Sequence, residues 1–364
     1  MQRLLDKDKT IYLKGVALLM IVANHAIGFP EWILPENMPI DSAIPWLFQL
    51  EQTICARTFK ICLSLFTFFA GVGLSVKREK YESLRARLGK VLNIFVIYWA
   101  VALIFLLLGL LLKEPMPDGK SLLLNLIAFG TGTVWTNNVA HVNVSFGWYL
   151  AFYSVILLLL PLVTRLIGRG LLKDVGAILA FSFFAGGAFY VFKSCTGFNF
   201  YNLEMSVVVY TPVFLLGCIT ERYAVFEQIN FKVSKTNFNR PFYFALLAIV
   251  VLFFKTVRDW FWVLPSLDAL YTPILVFSFA KVLEFRKRKE RDDKGPTLLN
   301  RYISLLGRYS LGIWLLSGIF YMPARSIQWI VYLPRVSILV VVWTTLILLP
   351  PSVAIGRLTG RLKR

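Results

Sequence analysis

The apolar positions of this chain gather into ten long runs separated by short polar segments. The runs cover roughly 11–29, 54–76, 91–112, 147–164, 174–193, 204–220, 242–257, 266–283, 302–321 and 336–356. Each is close to the ~20 residues that carry a helix across a ~30 Å hydrocarbon core. The pattern predicts an all-α fold, a polytopic membrane bundle of about ten transmembrane helices. They form a single transmembrane domain over residues 1–364.

Composition agrees. Hydrophobic residues make up 57% of the chain and charged residues only 16%, against about a quarter charged in ordinary soluble domains. Mean hydropathy is +0.67. The formal net charge of +19 would suggest nucleic acid in a soluble protein, but here the basic residues sit between apolar runs. With the N-terminus in the cytoplasm, segments 1–14, 77–90, 165–173, 221–240, 284–301 and 357–364 hold 28 of the 39 Lys and Arg. The opposite segments hold Lys113, Lys120, Arg258, Arg325 and Arg335. This is the positive-inside pattern, so both termini are expected in the cytoplasm, in a multi-pass protein of the cell membrane. The charges then read as topology determinants facing anionic membrane lipids, with no nucleic-acid partner. The first run follows Asp6, Lys7, Asp8 and Lys9 without a small-residue cleavage site, and is expected to stay as a membrane helix.

The segments between the runs differ. Pro30 to Gln52 carries Glu31, Glu36, Asp41 and Glu51 and no basic residue. Its four prolines argue against a long regular helix. Segment 113–146 is the longest on the outer side. Its stretch from Ser121 to Phe129 is too short to cross and reads as a re-entrant or interfacial helix. Segment 284–301 reads as a charged, flexible linker. Cys55, Cys62, Cys195 and Cys218 show neither metal-ligand nor disulfide spacing. They read as small apolar residues, and no metal site is expected.

Candidate chemistry concentrates in the first run, Tyr12 to Phe29. It carries Lys14 near its start and His25 near its end, eleven positions apart. At roughly 100° and ~1.5 Å per residue the two share one helix face, about 16 Å apart along the axis. Intramembrane ionisable residues mark sites or pathways. An imidazole there serves as a general base, a proton relay or a structural hydrogen-bond donor. Asn24 adjoins His25 and can orient the ring or a substrate. The spacing suits a CoA thioester whose phosphates sit by Lys14 while its acyl carbonyl reaches His25. An acceptor hydroxyl would arrive from the other side. Lys14 alone also reads as an interfacial lysine with its head in water.

Weaker candidates lie elsewhere. His141 precedes the aromatic run Phe146, Trp148, Tyr149, which suits a sugar ring or simply an interface. Glu204, near the outer start of the sixth run, reads as lining a substrate cavity, pairing with an arginine, or a plain helix-start carboxylate. Arg57 and Lys60 open the second run, with Glu51 near enough for an ion pair, or else they bind the acceptor or a carboxylate. Arg308, at the inner start of the ninth run, can add a phosphate contact to Lys14. Gly71 and Gly73 are positioned to let helices approach closely.

Several stretches resemble the acyltransferase-3 family of integral membrane O-acyltransferases. Lys14-Gly15-Val16-Ala17 through His25 resembles its opening motif, a basic residue and a histidine with ten residues between. LFTFFAGVGL at Leu65 to Leu74 is similar to its phenylalanine-rich second span. Phe146-Gly147-Trp148-Tyr149-Leu150 is similar to the start of its fourth. Leu306-Gly307-Arg308-Tyr309-Ser310 with Trp314-Leu315 resembles the start of its ninth. Three positions depart from the usual pattern: lysine replaces arginine at 14, and Ala70 and Ser317 stand where serine and histidine are common. The resemblance implies transfer of an acyl group, most often acetyl, from acetyl-CoA as a donor substrate, with no tightly bound cofactor. The acceptor is a hydroxyl of a surface polysaccharide or lipid-linked glycan. His25 is then catalytic, with Asn24 beside it, and Lys14 contacts the donor. Two other functions fit the same features. One is a transporter or flippase for a glycan or small solute, with His25 in proton coupling. The other is a non-catalytic assembly subunit.

Overall fold

Asp6 starts the first helix: its side chain accepts the Lys9 amide at 2.7 Å, and α1 then runs Lys7–Ile27. The computed structural model describes residues 3–113, 147–197, 204–261, 267–292, 296–318 and 327–361, together with Gly119, Leu123 and Leu126. Among the described residues every regular element is helical. The second helix begins earlier than its apolar run. It comprises α2 (Pro45–Thr53), a π-turn at Ile54–Thr58, a 3-10 turn at Phe59–Ile61 and α3 (Cys62–Val76). Pro30, Pro35 and Pro39 confine the preceding segment to 3-10 turns, as their fixed φ predicts. Pro45 instead sits in the first turn of α2, where its missing N–H costs nothing.

The chain continues through α4 (Leu84–Leu111), α5 (Gly147–Leu158), α6 (Leu160–Leu166) and α7 (Leu171–Thr196). A second π-turn, Met205–Tyr210, leads into α8 (Thr211–Arg222), followed by α9 (Val225–Ser234), α10 (Pro241–Phe261) and α11 (Asp268–Asp292). The last elements are α12 (Leu298–Arg308), α13 (Ser310–Ser317), α14 (Trp329–Tyr332) and α15 (Ser337–Arg361).

Among the described residues, seven helical segments are long and apolar enough to cross a membrane: Lys7–Ile27, Pro45–Val76, Leu84–Leu111, Leu171–Thr196, Met205–Arg222, Pro241–Asp259 and Ser337–Gly360. The other three expected spans are helical over their described residues apart from single-residue breaks in two of them, but do not meet that criterion. The fourth breaks at Leu159 between α5 and α6, and the ninth at Tyr309 between α12 and α13. The eighth, α11, ends in a highly charged stretch. That charged end also corrects the expected linker, since 284–292 continues α11 as helix. The expected interfacial stretch Ser121 to Phe129 lies, except for Leu123 and Leu126, outside the described residues.

Burial places α1 at the centre and α7 at the edge. Two thirds (67%) of the most apolar window of α1 is buried, against 11% for α7. Around α1 pack α3, α11, α12, α13, α15 and the π-turn at 54–58. Two backbone approaches set this geometry. A methyl at Gly15 would strike the Ile303 carbonyl, and one at Gly307 the Ile11 carbonyl, so α1 and α12 touch backbone to backbone. Gly71 of α3 and Gly217 of α8 make a similar crossing, against the Phe214 and Phe68 carbonyls. Small residues permit such contact where helices lack a hydrophobic drive to associate. Gly73, expected to do the same, faces open space. Cys62 and Cys218 are buried among these helices, whereas Cys195 is exposed near the end of α7.

Candidate active site

His25 lies in the last turn of α1 with 7% of its surface exposed, so the imidazole points into protein. The Trp32 ring stands 6.1 Å from it, tilted by 38°, and Phe29 stacks on Trp32 at 4.3 Å. Gln328, fully buried, locks this wall. It donates to the Trp32 carbonyl and accepts the Leu34 amide, both at 2.8 Å. The Tyr332 hydroxyl donates to the Ala26 carbonyl at 2.8 Å, tying α14 to the same turn of α1.

Asn24 is buried and faces the π-turn. Its amide nitrogen donates to the Cys55 carbonyl at 2.7 Å and the Ala56 carbonyl at 3.3 Å. Gly28 lies against the same turn, where a methyl would crowd the Ala56 backbone. A π-turn shifts the hydrogen-bond ladder by one residue and recurs at functional sites. Here its carbonyls serve side chains from other helices, which explains why Asn24 needs a donor amide.

Lys14 lies eleven residues before His25 along the regular α1, on nearly the same face and ~16 Å away along the axis. It is half-buried, and Lys77 and Lys90 are its electrostatic neighbours. Arg308 occupies a different place. With Lys9, Tyr12, Arg286, Arg301 and Asp8 it lines a cavity of about 340 Å³ at the basic end of the bundle. Tyr12 and Lys14 are two residues apart, so they project about 160° apart around α1. Lys14 is not among the residues that line this cavity. Lys14 shares a face with His25, while Arg308 serves the cavity.

Trp148 joins an aromatic cluster. It stands 5.7 Å from the Tyr210 ring and 5.9 Å from Tyr149. Tyr149 in turn meets Trp314 edge-on at 5.4 Å, and its hydroxyl bonds Thr67 at 2.8 Å. Trp314 is on α13, which packs on α1, so the cluster reaches the central helix through that residue. Glu204 is half-buried just before the π-turn that ends in Tyr210. Arg57, paired with Glu51 or an acceptor in the sequence reading, instead sends its guanidinium to the Asp259 carbonyl at 2.8 Å. His141 lies outside the described residues.

Sequence reading passed over Lys255, Asp259 and Asp268 and took Arg258 only as an outer-segment charge; all four meet Arg57 and Ser64 at the end of the bundle that bears the π-turn. The signal was present: Lys255 is an intramembrane cation within an apolar run, with Arg258 and Asp259 one turn later.

A family model described as an acyltransferase domain matches residues 9–357, nearly the whole chain. The protein belongs to the acyltransferase-3 family and is a multi-pass membrane acyltransferase. No curated protein and no solved structure matches the chain.

Proposed function

We propose that this protein is an O-acyltransferase of the cell membrane with both termini in the cytoplasm. It moves an acyl group, acetyl in the simplest case, from acyl-CoA to a hydroxyl of a surface polysaccharide or lipid-linked glycan. The observation that carries the reading is the buried imidazole of His25 on the same α1 face as Lys14, ~16 Å away. That distance is of the order of a pantetheine arm. The donor phosphates lie by Lys14, in surroundings shared with Lys77 and Lys90. His25 takes the proton of the acceptor hydroxyl as its oxygen attacks the thioester carbonyl. The C–S bond breaks, CoA thiolate leaves, and the imidazolium returns the proton to sulfur. Trp148 and Glu204 offer an aromatic face and a carboxylate to a sugar, with His141 assigned to the same acceptor side. In this reading Arg308, which lines a cavity with Tyr12, Arg286 and Arg301, is left out of the donor site.

The test is replacement of His25 by Ala in cells, with mass spectrometry of the surface glycan. Esters should vanish while the protein remains in the membrane fraction at its normal level. Undiminished ester content with that variant as the only copy overturns the reading.

A further inference from the structure

The π-turn beside His25 is held from two directions. From α1 comes Asn24, on the Cys55 and Ala56 carbonyls. From α10 comes Lys255, whose ammonium donates to the next carbonyl, that of Arg57, at 3.1 Å. Three successive carbonyls of one widened turn are thus taken by side chains of two other helices. Arg57 closes the loop by donating to the Asp259 carbonyl at 2.8 Å, and the Thr58 and Thr256 hydroxyls meet beside it.

Behind Lys255 stands a chain of charges. Lys255 pairs with Asp259, Asp259 with Arg258, and Arg258 with Asp268 at 2.8 Å. Asp268 also accepts from the Ser64 hydroxyl of α3 at 3.2 Å. Lys255 is 0% exposed, Asp268 5% and Arg258 9%. Desolvating such groups costs several kcal/mol each, and their attraction offsets this only with good geometry. Packing alone would be served as well by apolar residues. What these residues supply, and leucines would not, is a directed donor to the turn that seats Asn24.

We infer that Lys255 and Asp259 are positioning residues for His25. Asp259 holds the Lys255 ammonium on the Arg57 carbonyl, and this fixes the π-turn. The π-turn fixes Asn24, and Asn24 sets the rotation of α1 at which the next residue, His25, presents its ring. This rests on the reading of His25 as the base. A shift of about 1 Å in such a group costs on the order of a hundredfold in rate.

The chain has two histidines, so ¹⁵N-histidine-labelled protein carrying His141→Asn reports the His25 imidazole alone. In detergent-solubilised protein, Lys255→Met should shift or broaden that resonance, as Asn24→Ala does. In membrane vesicles supplied with acetyl-CoA, Lys255→Met should lower the saturated rate of glycan acetylation about tenfold to a hundredfold. The acetyl-CoA KM should stay within about twofold, because Lys14 is untouched. Asn24→Ala combined with Lys255→Met should be no worse than the more impaired single variant, since both act through one turn. Lys255→Arg, which keeps a cationic donor, should recover part of the rate. If Lys255→Met fails to accumulate, Lys255→Met with Asp259→Leu removes both charges together and carries the same expectations. An unchanged His25 resonance, or fully additive rate losses, overturns the inference. Acetylation that survives His25→Ala sinks the catalytic reading instead, and the resonance still decides whether α10 positions the ring.

Discussion

At the scale of single residues, the site separates groups by what each environment lets them do. Lys14 is a point charge where a planar guanidinium would offer a fork to phosphate. Lys14→Met is expected to raise the acetyl-CoA KM about tenfold or more, on the ~1.5–3 kcal/mol of a charge-assisted contact, with the saturated rate little changed. Lys14→Arg should lower it or leave it alone. Titrating donor concentration in vesicles checks both. Arg308 lines a cavity with Arg286 and Arg301 that Lys14 does not line. Arg308→Gln should therefore move that KM by less than about twofold; a shift as large as that of Lys14→Met would return Arg308 to the donor site.

At the scale of elements, one device fixes α1 near Lys14 and another holds the wall around His25. The crossing of α1 and α12 depends on Gly15 and Gly307, each against a carbonyl of the facing helix. A carbonyl cannot rotate aside as a side chain does, so the helices themselves must part. Gly15→Val is expected to lower the thermal midpoint of the purified protein by several degrees, in line with the ~1–3 kcal/mol of overpacking. It should also weaken activity, because α1 carries both Lys14 and His25. Gln328 is the second device. Its amide satisfies one carbonyl and one amide of the segment bearing Trp32. Gln328→Leu leaves both groups without that partner, at about 1–3 kcal/mol for each buried polar group left unmet. Faster proteolysis between residues 30 and 44 in intact cells is the expected readout.

Over the whole molecule, the basic residues gather in alternate inter-helix segments, and this makes the orientation testable. In a variant without its four cysteines, a cysteine at exposed Glu31 should react with a membrane-impermeant maleimide on intact cells. One at exposed Glu82 should react only after permeabilisation. The reverse pattern would invert the bundle and put the donor phosphates on the wrong side. The central place of α1 and the peripheral place of α7 also set an order of tolerance. Apolar swaps on the exposed face of α7 should be silent, while equal changes along α1 should not.

The sequence alone determined that the chain is a helical membrane protein, since stretches of apolar residues this long have no other stable environment. It also determined that Lys14 and His25 share a face, because that follows from helix periodicity. The family was legible for the same reason: its motif is local, lying within one helix. It grouped Arg308 with Lys14 because both are cations near one end, and only the packing of α12 on α1 showed Arg308 lining a cavity that Lys14 does not line. Nor did it reveal the π-turn at 54–58, which inserts one residue into an otherwise ordinary helix. The joining of Asn24 to Lys255 through that turn was likewise hidden, because the two are far apart in the chain. Contacts between distant segments depend on how helices cross, and crossings are set by backbone approach at a few glycines and by buried pairs that only the assembled bundle brings within reach.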